Sequence, residues 1–243
     1  MRVAVLSDIH SNLTALDAVL GSLGTVDAVW QLGDVVGYGP EPDGVVQRLR
    51  DVGAVGVRGN HDVAASGTTA LGAFNPDARA AAEWTRARIG GPTRAYLEAL
   101  PEVLVPDDSD FTLVHGSPRD PISEYLDSPW AAEESLAAID TPHCLVGHTH
   151  VPVVFRQQVR GGMAVMVVAQ ESLLQLDDRR VVLNPGSVGQ PRDGNPLASY
   201  MILDTDAGHA TWRRAAYDIG ATQAAMLAAG LPPRLARRLS FGQ

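Results

Sequence analysis

Lysine is absent from this chain, and all 19 of its basic residues are arginine. That excludes a Schiff-base lysine, a P-loop lysine and a kinase-type ATP-binding lysine. Cys144 is the only cysteine, so there is no internal disulfide, thiolate zinc cluster or CxxC redox pair. No apolar stretch approaches the roughly 18 residues a membrane helix needs, so no span is expected. Only Val3 to Leu6 are apolar before Ser7-Asp8, too short for a signal-peptide core, and a cytoplasmic protein is expected. Positive charge is also scarce, with 28 acidic residues giving a net charge of −9. Such a chain is a poor general binder of nucleic-acid backbone, although a local metal site can still draw in a phosphate.

What remains is an ordinary globular composition, 45% apolar over 243 residues, with no linker, repeat or low-complexity run. A single domain spanning 1–243 is expected. Short apolar runs at 3–6, 28–32 and 54–57 alternate with helical spacing at 13–23 and 42–52. Strand–helix–strand alternation predicts a parallel sheet in an α/β fold. Helices are predicted over 76–89, 92–100 and 129–139, and strands over 111–114 and 144–146. Six further strands, 151–155, 163–169, 173–176, 180–183, 199–203 and 211–216, read as one largely antiparallel second sheet. The segment about 64–106 is predicted as a helical cap beside the site or a long crossover over the sheet. The tail about 218–243 reads as helices that cover the body or form a homo-oligomer surface.

The polar residues follow the strands. Asp8 and His10 come after the first, Asp34 after the second, Asn60 and His61 after the third. His115 follows the fourth, and His148 and His150 the fifth. Ligand crevices of open α/β sheets lie outside the carboxyl ends of the strands, so these side chains should gather at one rim. Asp, His and Asn offer oxygen and neutral nitrogen to a divalent ion. There are enough of them for two ions if one carboxylate bridges, the usual clamp for in-line attack at phosphorus.

The blocks Ser7-Asp8-Ile9-His10, Gly33-Asp34, Gly59-Asn60-His61-Asp62, His115-Gly116 and Gly147-His148-Thr149-His150 resemble those of the calcineurin-like metallophosphoesterase family. The Asn184-Pro185-Gly186-Ser187 run is similar to a loop of its small bacterial and archaeal phosphodiesterase branch. The resemblance implies a four-layer αββα sandwich of two mixed β-sheets with flanking helices. It implies one metal on Asp8, His10, Asp34 and His150, and a second on Asp34, Asn60, His115 and His148. Manganese comes first among Mn, Fe, Zn, Co and Ni. His61 would donate a proton to the leaving oxygen or stabilise the phosphorane, with Asp62 orienting it. The implied reaction is hydrolysis of a small phosphodiester, such as a nucleotide, by a metal-bridging hydroxide. The alternatives are a phosphomonoesterase, including one acting on phosphoproteins, and a non-catalytic scaffold of the same fold. Gly33-Asp34 runs into Val35-Val36-Gly37-Tyr38, not the Asp-Arg-Gly of the protein-phosphatase branch, which points toward small diesters. The retromer scaffold subunit lacks the histidine that stands here as His61.

Four substrate contacts are also considered. Arg119 and Arg192 can each clamp a phosphate or pair with the adjacent Asp120 or Asp193. Tyr38 can stack on a nucleobase or pack. Asn12 can touch a phosphate oxygen, but capping the helix at Leu13 accounts for it. His143 and Cys144 read as structural.

Overall fold

The computed structural model of the protein describes residues 1–67 and 71–243. The chain begins β1 (Arg2–Leu6), α1 (Leu13–Ser22), β2 (Ala28–Leu32), α2 (Pro42–Asp51), β3 (Val55–Val57) and α3 (Asn60–Ser66). Then come α4 (Pro76–Arg88), α5 (Gly91–Ala99), β4 (Val103–Leu104), β5 (Phe111–Val114), α6 (Pro129–Ala137) and β6 (His143–Leu145). The last part holds β7 (Val153–Gln157), β8 (Met163–Val167), β9 (Leu173–Gln175), β10 (Val181–Asn184), β11 (Ala198–Asp204) and β12 (His209–Ala215). It ends in α7 (Ile219–Ala228) and α8 (Pro233–Arg238).

These strands form two mixed six-stranded sheets, ordered β3-β2-β1-β11-β12-β9 and β4-β5-β6-β10-β7-β8. In the first, β3, β2 and β1 are parallel, and β11, β12 and β9 continue antiparallel. In the second, β5, β6 and β10 are parallel, with β4 antiparallel on one side and β7 and β8 on the other. The expected single antiparallel sheet is therefore corrected. Its six strands are divided equally, and β5 and β6 lie in the second sheet rather than beside β1. Burial explains the division. Val3, Val5, Trp30 and Leu32 of the first sheet meet Phe111, Leu113, Leu145 and Leu183 of the second in one core cluster.

Alternate residues face outward. Ala4, Leu6, Tyr200 and Ile202 pack under Leu16 and Val19 of α1 and Val45 and Leu49 of α2. Cys144, Val146 and Val182 pack under Ala132 and Leu136 of α6. Burial on both faces is the αββα arrangement. Helices start where the chain supplies caps: Asn12, Asn75 and Ser128 side chains accept from the amides three residues on.

The 64–106 segment is not a detached lid. Its α4 packs on the C-terminal helices, with Trp84 Nε1 donating to the Ala229 carbonyl at 2.9 Å. Tyr96 of α5 packs on the first-sheet core. Residues 68–70 of this segment lie outside the described residues. Met226, Leu231 and Leu235 of the tail join Tyr38 and Ala81 in a further cluster, so the tail covers the body. Among the described residues no helix is long and apolar enough to cross a membrane.

Candidate metal centre and its cleft

The carboxyl ends of β1, β2, β3, β5 and β6 converge where the two sheets meet. Two donor sets form there, Asp8, His10, Asp34 and His150, and Asp34, His115 and His148. Within each set the ligand atoms lie within 4.8 Å of one another, and every residue is buried. Asp34 is common to both, with Oδ2 3.6 Å from His10 Nε2 and 3.4 Å from His115 Nε2.

The tautomers follow from the backbone. His10 Nδ1 donates to the Val36 carbonyl at 3.2 Å, and His150 Nδ1 to that of Gln190 at 2.6 Å. His115 Nδ1 donates to Leu32 at 2.8 Å, and His148 Nε2 to Ser123 at 3.1 Å. When the rings are neutral, their opposite nitrogens are thus left with lone pairs. Those lone pairs face one another, His10 Nε2 to His150 Nε2 at 3.1 Å and His115 Nε2 to His148 Nδ1 at 3.0 Å. Two lone pairs at hydrogen-bond distance repel unless a cation or proton lies between them. An outer carbonyl fixing each imidazole is how metal-ligating histidines are held. Asp8 Oδ1 and Asn60 Oδ1 are also buried, with no hydrogen-bond partner among the described residues. The residues present therefore fit divalent ions.

The electrostatics agree. Burial pushes Asp8 up to about 6 and His148 down to about 3, and holds His10 and His150 well below the usual imidazole range. Burial alone would lower His115 too, yet Asp34 lifts it to about 9, a measure of the positive charge this pocket calls for.

The backbone is strained at this site. Asp8, His10, Ser11, Asp34, Tyr38, His148 and His150 all have positive φ, between 50° and 64°. Asp and His tolerate that region better than most residues, and such strain gathers at functional sites. Gly59 permits a close approach, since a Cβ there would lie 2.2 Å from Asp34 Oδ1. The Asn184–Ser187 loop holds the site without ligating. Asn184 Nδ2 donates to the Gly147 carbonyl at 2.8 Å and Ser187 Oγ to that of Asp8 at 2.8 Å.

A cleft of about 290 Å³ opens over the donors. His61 lies in it, 4% exposed, its ring flanked by Tyr38 at 4.3 Å and Phe74 at 4.9 Å. Its amide donates to Asp34 Oδ1 at 2.8 Å. Burial lowers its imidazole to about 4, so it is uncharged at neutral pH. Asn60 and His61 lie in the first turn of α3, not at a strand end. This helix of seven residues shows no apolar period. The expectation that Asp62 orients His61 is corrected. His61 Nδ1 has no hydrogen-bond partner among the described residues, and the Asp62 carboxylate accepts from the Val36 and Gly59 amides at 3.0 and 2.9 Å. Asp62 ties two ligand-bearing loops together, and burial with the charge of Asp34 pushes it up to about 7.

The substrate candidates separate. Tyr38 and Arg192 line the cleft. Asn12 does not. It caps α1, accepting from the Ala15 amide at 3.1 Å, and donates to the Gly189 carbonyl at 3.0 Å. Arg119 is also outside it, paired with Glu124 rather than Asp120 and lying over the Trp130 ring at 4.7 Å. Phe74, Asn75, Ser123 and Tyr125 line the cleft without having been predicted. Tyr125 stacks on His148 at 3.9 Å. No motif marks it, and the contribution of Ser123 to His148 is a backbone carbonyl, which no side-chain pattern reveals.

A sandwich of two mixed sheets with overlapping His/Asp donor sets at their meeting edge is the architecture of a metallophosphoesterase. Residues 1–208 match the calcineurin-like phosphoesterase superfamily domain, and the chain belongs to that superfamily. The crystal structure of a metallophosphoesterase from Sphaerobacter thermophilus superposes with a TM-score of 0.90 at 45% identity, covering 100% of this chain and 99% of that one. An uncharacterised protein of Methanocaldococcus jannaschii is 35% identical over 99% of this chain and 98% of its own length. Phosphodiesterase YfcE of Escherichia coli is 31% identical over 85% of this chain and 89% of its own.

Proposed function

We propose that this chain is a dinuclear metal-dependent phosphodiesterase acting on small phosphodiesters. The observation that carries this reading is the two pairs of facing imidazole nitrogens joined through Asp34 beneath an open cleft. Likeness to the phosphodiesterase YfcE over most of both chains supports the reaction type. Asp8, His10, Asp34 and His150 would hold one ion, and Asp34, Asn60, His115 and His148 the other. Divalent ions supply Lewis-acid polarisation of a phosphoryl oxygen and a nucleophilic water at neutral pH.

The protein's own groups do the positioning. The buried carboxylates and imidazoles keep the donor oxygens and nitrogens aimed at one point. His61 reaches the cleft from above Asp34, to which its amide is bonded. Being uncharged at neutral pH, its ring offers an N–H to a phosphoryl or leaving oxygen. That supports hydrogen-bond stabilisation over a resting imidazolium that gives up a proton. Tyr38 and Phe74 pack on the His61 ring and keep it from turning away.

The test is hydrolysis of bis(p-nitrophenyl) phosphate and p-nitrophenyl phosphate by chelated and manganese-reloaded protein, with His61→Ala alongside. Metal-dependent turnover of the diester that falls on the order of 100-fold or more in His61→Ala is expected. Preference for the monoester would replace the reading by a phosphatase. No turnover of either ester with metal fully bound would overturn it.

A further inference from the structure

The cleft contains one strong charge that hydrolysis of a simple diester does not use. Arg192 lines it beside His61, His148 and His150, and its amide donates to the His150 carbonyl at 3.3 Å. The half-buried guanidinium donates to Gln190 Oε1 at 2.9 Å, and its Nε is buried with no hydrogen-bond partner among the described residues. Among the described residues no carboxylate pairs with it, because neighbouring Asp193 is taken by Arg214. The cleft's own carboxylate, Asp34, belongs to both metal-donor sets. A guanidinium partly out of water with no counter-charge is a place for an anion, and its planar fork suits phosphate.

A second cavity of about 570 Å³ adjoins the cleft, and Asn75 is a wall of both. Arg234 and Arg238 line it with one acidic side chain, Asp77, and the last residue, Gln243. Arg234 is exposed and in no ion pair among the described residues, and Arg238 donates through Nε to the main-chain oxygen of Gln243. Burial and then the charge of Arg192 hold Arg238 below the usual guanidinium range. Arg192 in the cleft and Arg238 and Arg234 in the adjoining cavity thus put three guanidiniums on two spaces that share Asn75, in a chain whose net charge is −9. The cleft alone, at about 290 Å³, is at the small end of ligand sites, which run about 300–1,000 Å³. A longer substrate must leave it, and the adjoining cavity is a path of the right charge.

Resting on the phosphodiesterase reading, we propose that the cleft and the adjoining cavity together bind linear nucleotides that carry at least one phosphate beyond the scissile one. The added phosphate would lie on Arg192, and the outgoing arm along Arg238 and Arg234. Tyr125 and Phe74, both in the cleft wall, offer rings for a base. A cyclic mononucleotide brings a single phosphate and leaves all three arginines unused.

The test is equilibrium binding of the thymidine dinucleotide TpT and trinucleotide TpTpT by calorimetry. It uses the full metal-loaded chain with His61→Ala to slow turnover. Neither ligand has a terminal monoester to compete for metal. We expect TpTpT to bind about tenfold or more tightly than TpT, the size of one charge-assisted phosphate contact. Arg192→Met should cut that advantage to the roughly twofold statistical gain of a second diester. Arg234→Ser, at an exposed position where folding is not at stake, should reduce it in part. Equal affinity for TpT and TpTpT would overturn the proposal, as would an advantage that survives both substitutions. The aryl-diester assay reports on the phosphodiesterase reading by itself, so the two failures are distinguishable.

Discussion

Asp34 belongs to both donor sets, so replacing it should weaken two ions at once, whereas His150 serves only one set and His148 only the other. Asp34→Asn is the informative change. It keeps an oxygen to accept from the His61 amide and removes the charge that faces His10 and His115. An ion present at a hundredfold over its Kd stabilises the folded state by about 2.7 kcal/mol per site. In a chain of this length each kcal/mol moves the midpoint of unfolding by about 2–4 °C. Two occupied sites should therefore raise Tm by roughly 10–20 °C when manganese is added to chelated protein. His150→Ala and His148→Ala should each keep about half of that rise, and Asp34→Asn less than about a quarter. Differential scanning calorimetry across a manganese titration measures all four proteins, with mass spectrometry under native conditions counting the ions. A full rise in Asp34→Asn, or a single ion per chain in the wild type, would refute the shared carboxylate.

Two further outcomes follow from His61. Its folded value of about 4 lies below the unfolded 6.5, so the unfolded chain takes up its proton first and stability falls as pH drops from 6.5 toward 4. At 1.36 kcal/mol per unit that is about 3 kcal/mol. Urea unfolding of chelated protein at pH 7 and pH 4 should show the wild type losing about that much more than His61→Gln, and parallel losses would place the imidazole in water. Gly37→Ala puts a Cβ 2.6 Å from His61 Nδ1 at a φ of +93°. It should cost about 1–2 kcal/mol from backbone alone and lower diester turnover while manganese still binds, and unchanged turnover would show that His61 need not be held there.

Much of the site is legible in the chain because each donor follows a strand end by no more than five residues, in short blocks bordered by glycine. Elements from β1 to β3, and the cap at Asn12, are local features that periodicity and capping chemistry reveal. The division of the late strands between two sheets is not local. A run such as Val181–Asn184 is buried on both faces, and its pattern does not say whether β6 or β1 is its neighbour. Likewise β1 pairs with β11, about two hundred residues away, a contact that no window along the sequence contains.

The two candidate arginines make the same point. Arg119 and Arg192 each precede an aspartate in a Pro-Arg-Asp run, and by sequence they are equivalent. The fold brings Glu124 and Trp130 to Arg119 and satisfies it, and brings Arg214 to Asp193 so that Arg192 is left facing the cleft. Residue types and spacing alone determined that this chain carries seven metal-capable side chains and one further histidine in the order of a phosphoesterase. Tertiary structure decided which lone pairs face each other, which loop Asp62 ties down and which charge remains unmatched. Those are distances between segments far apart in the chain, and only the packing of two sheets against one core sets them.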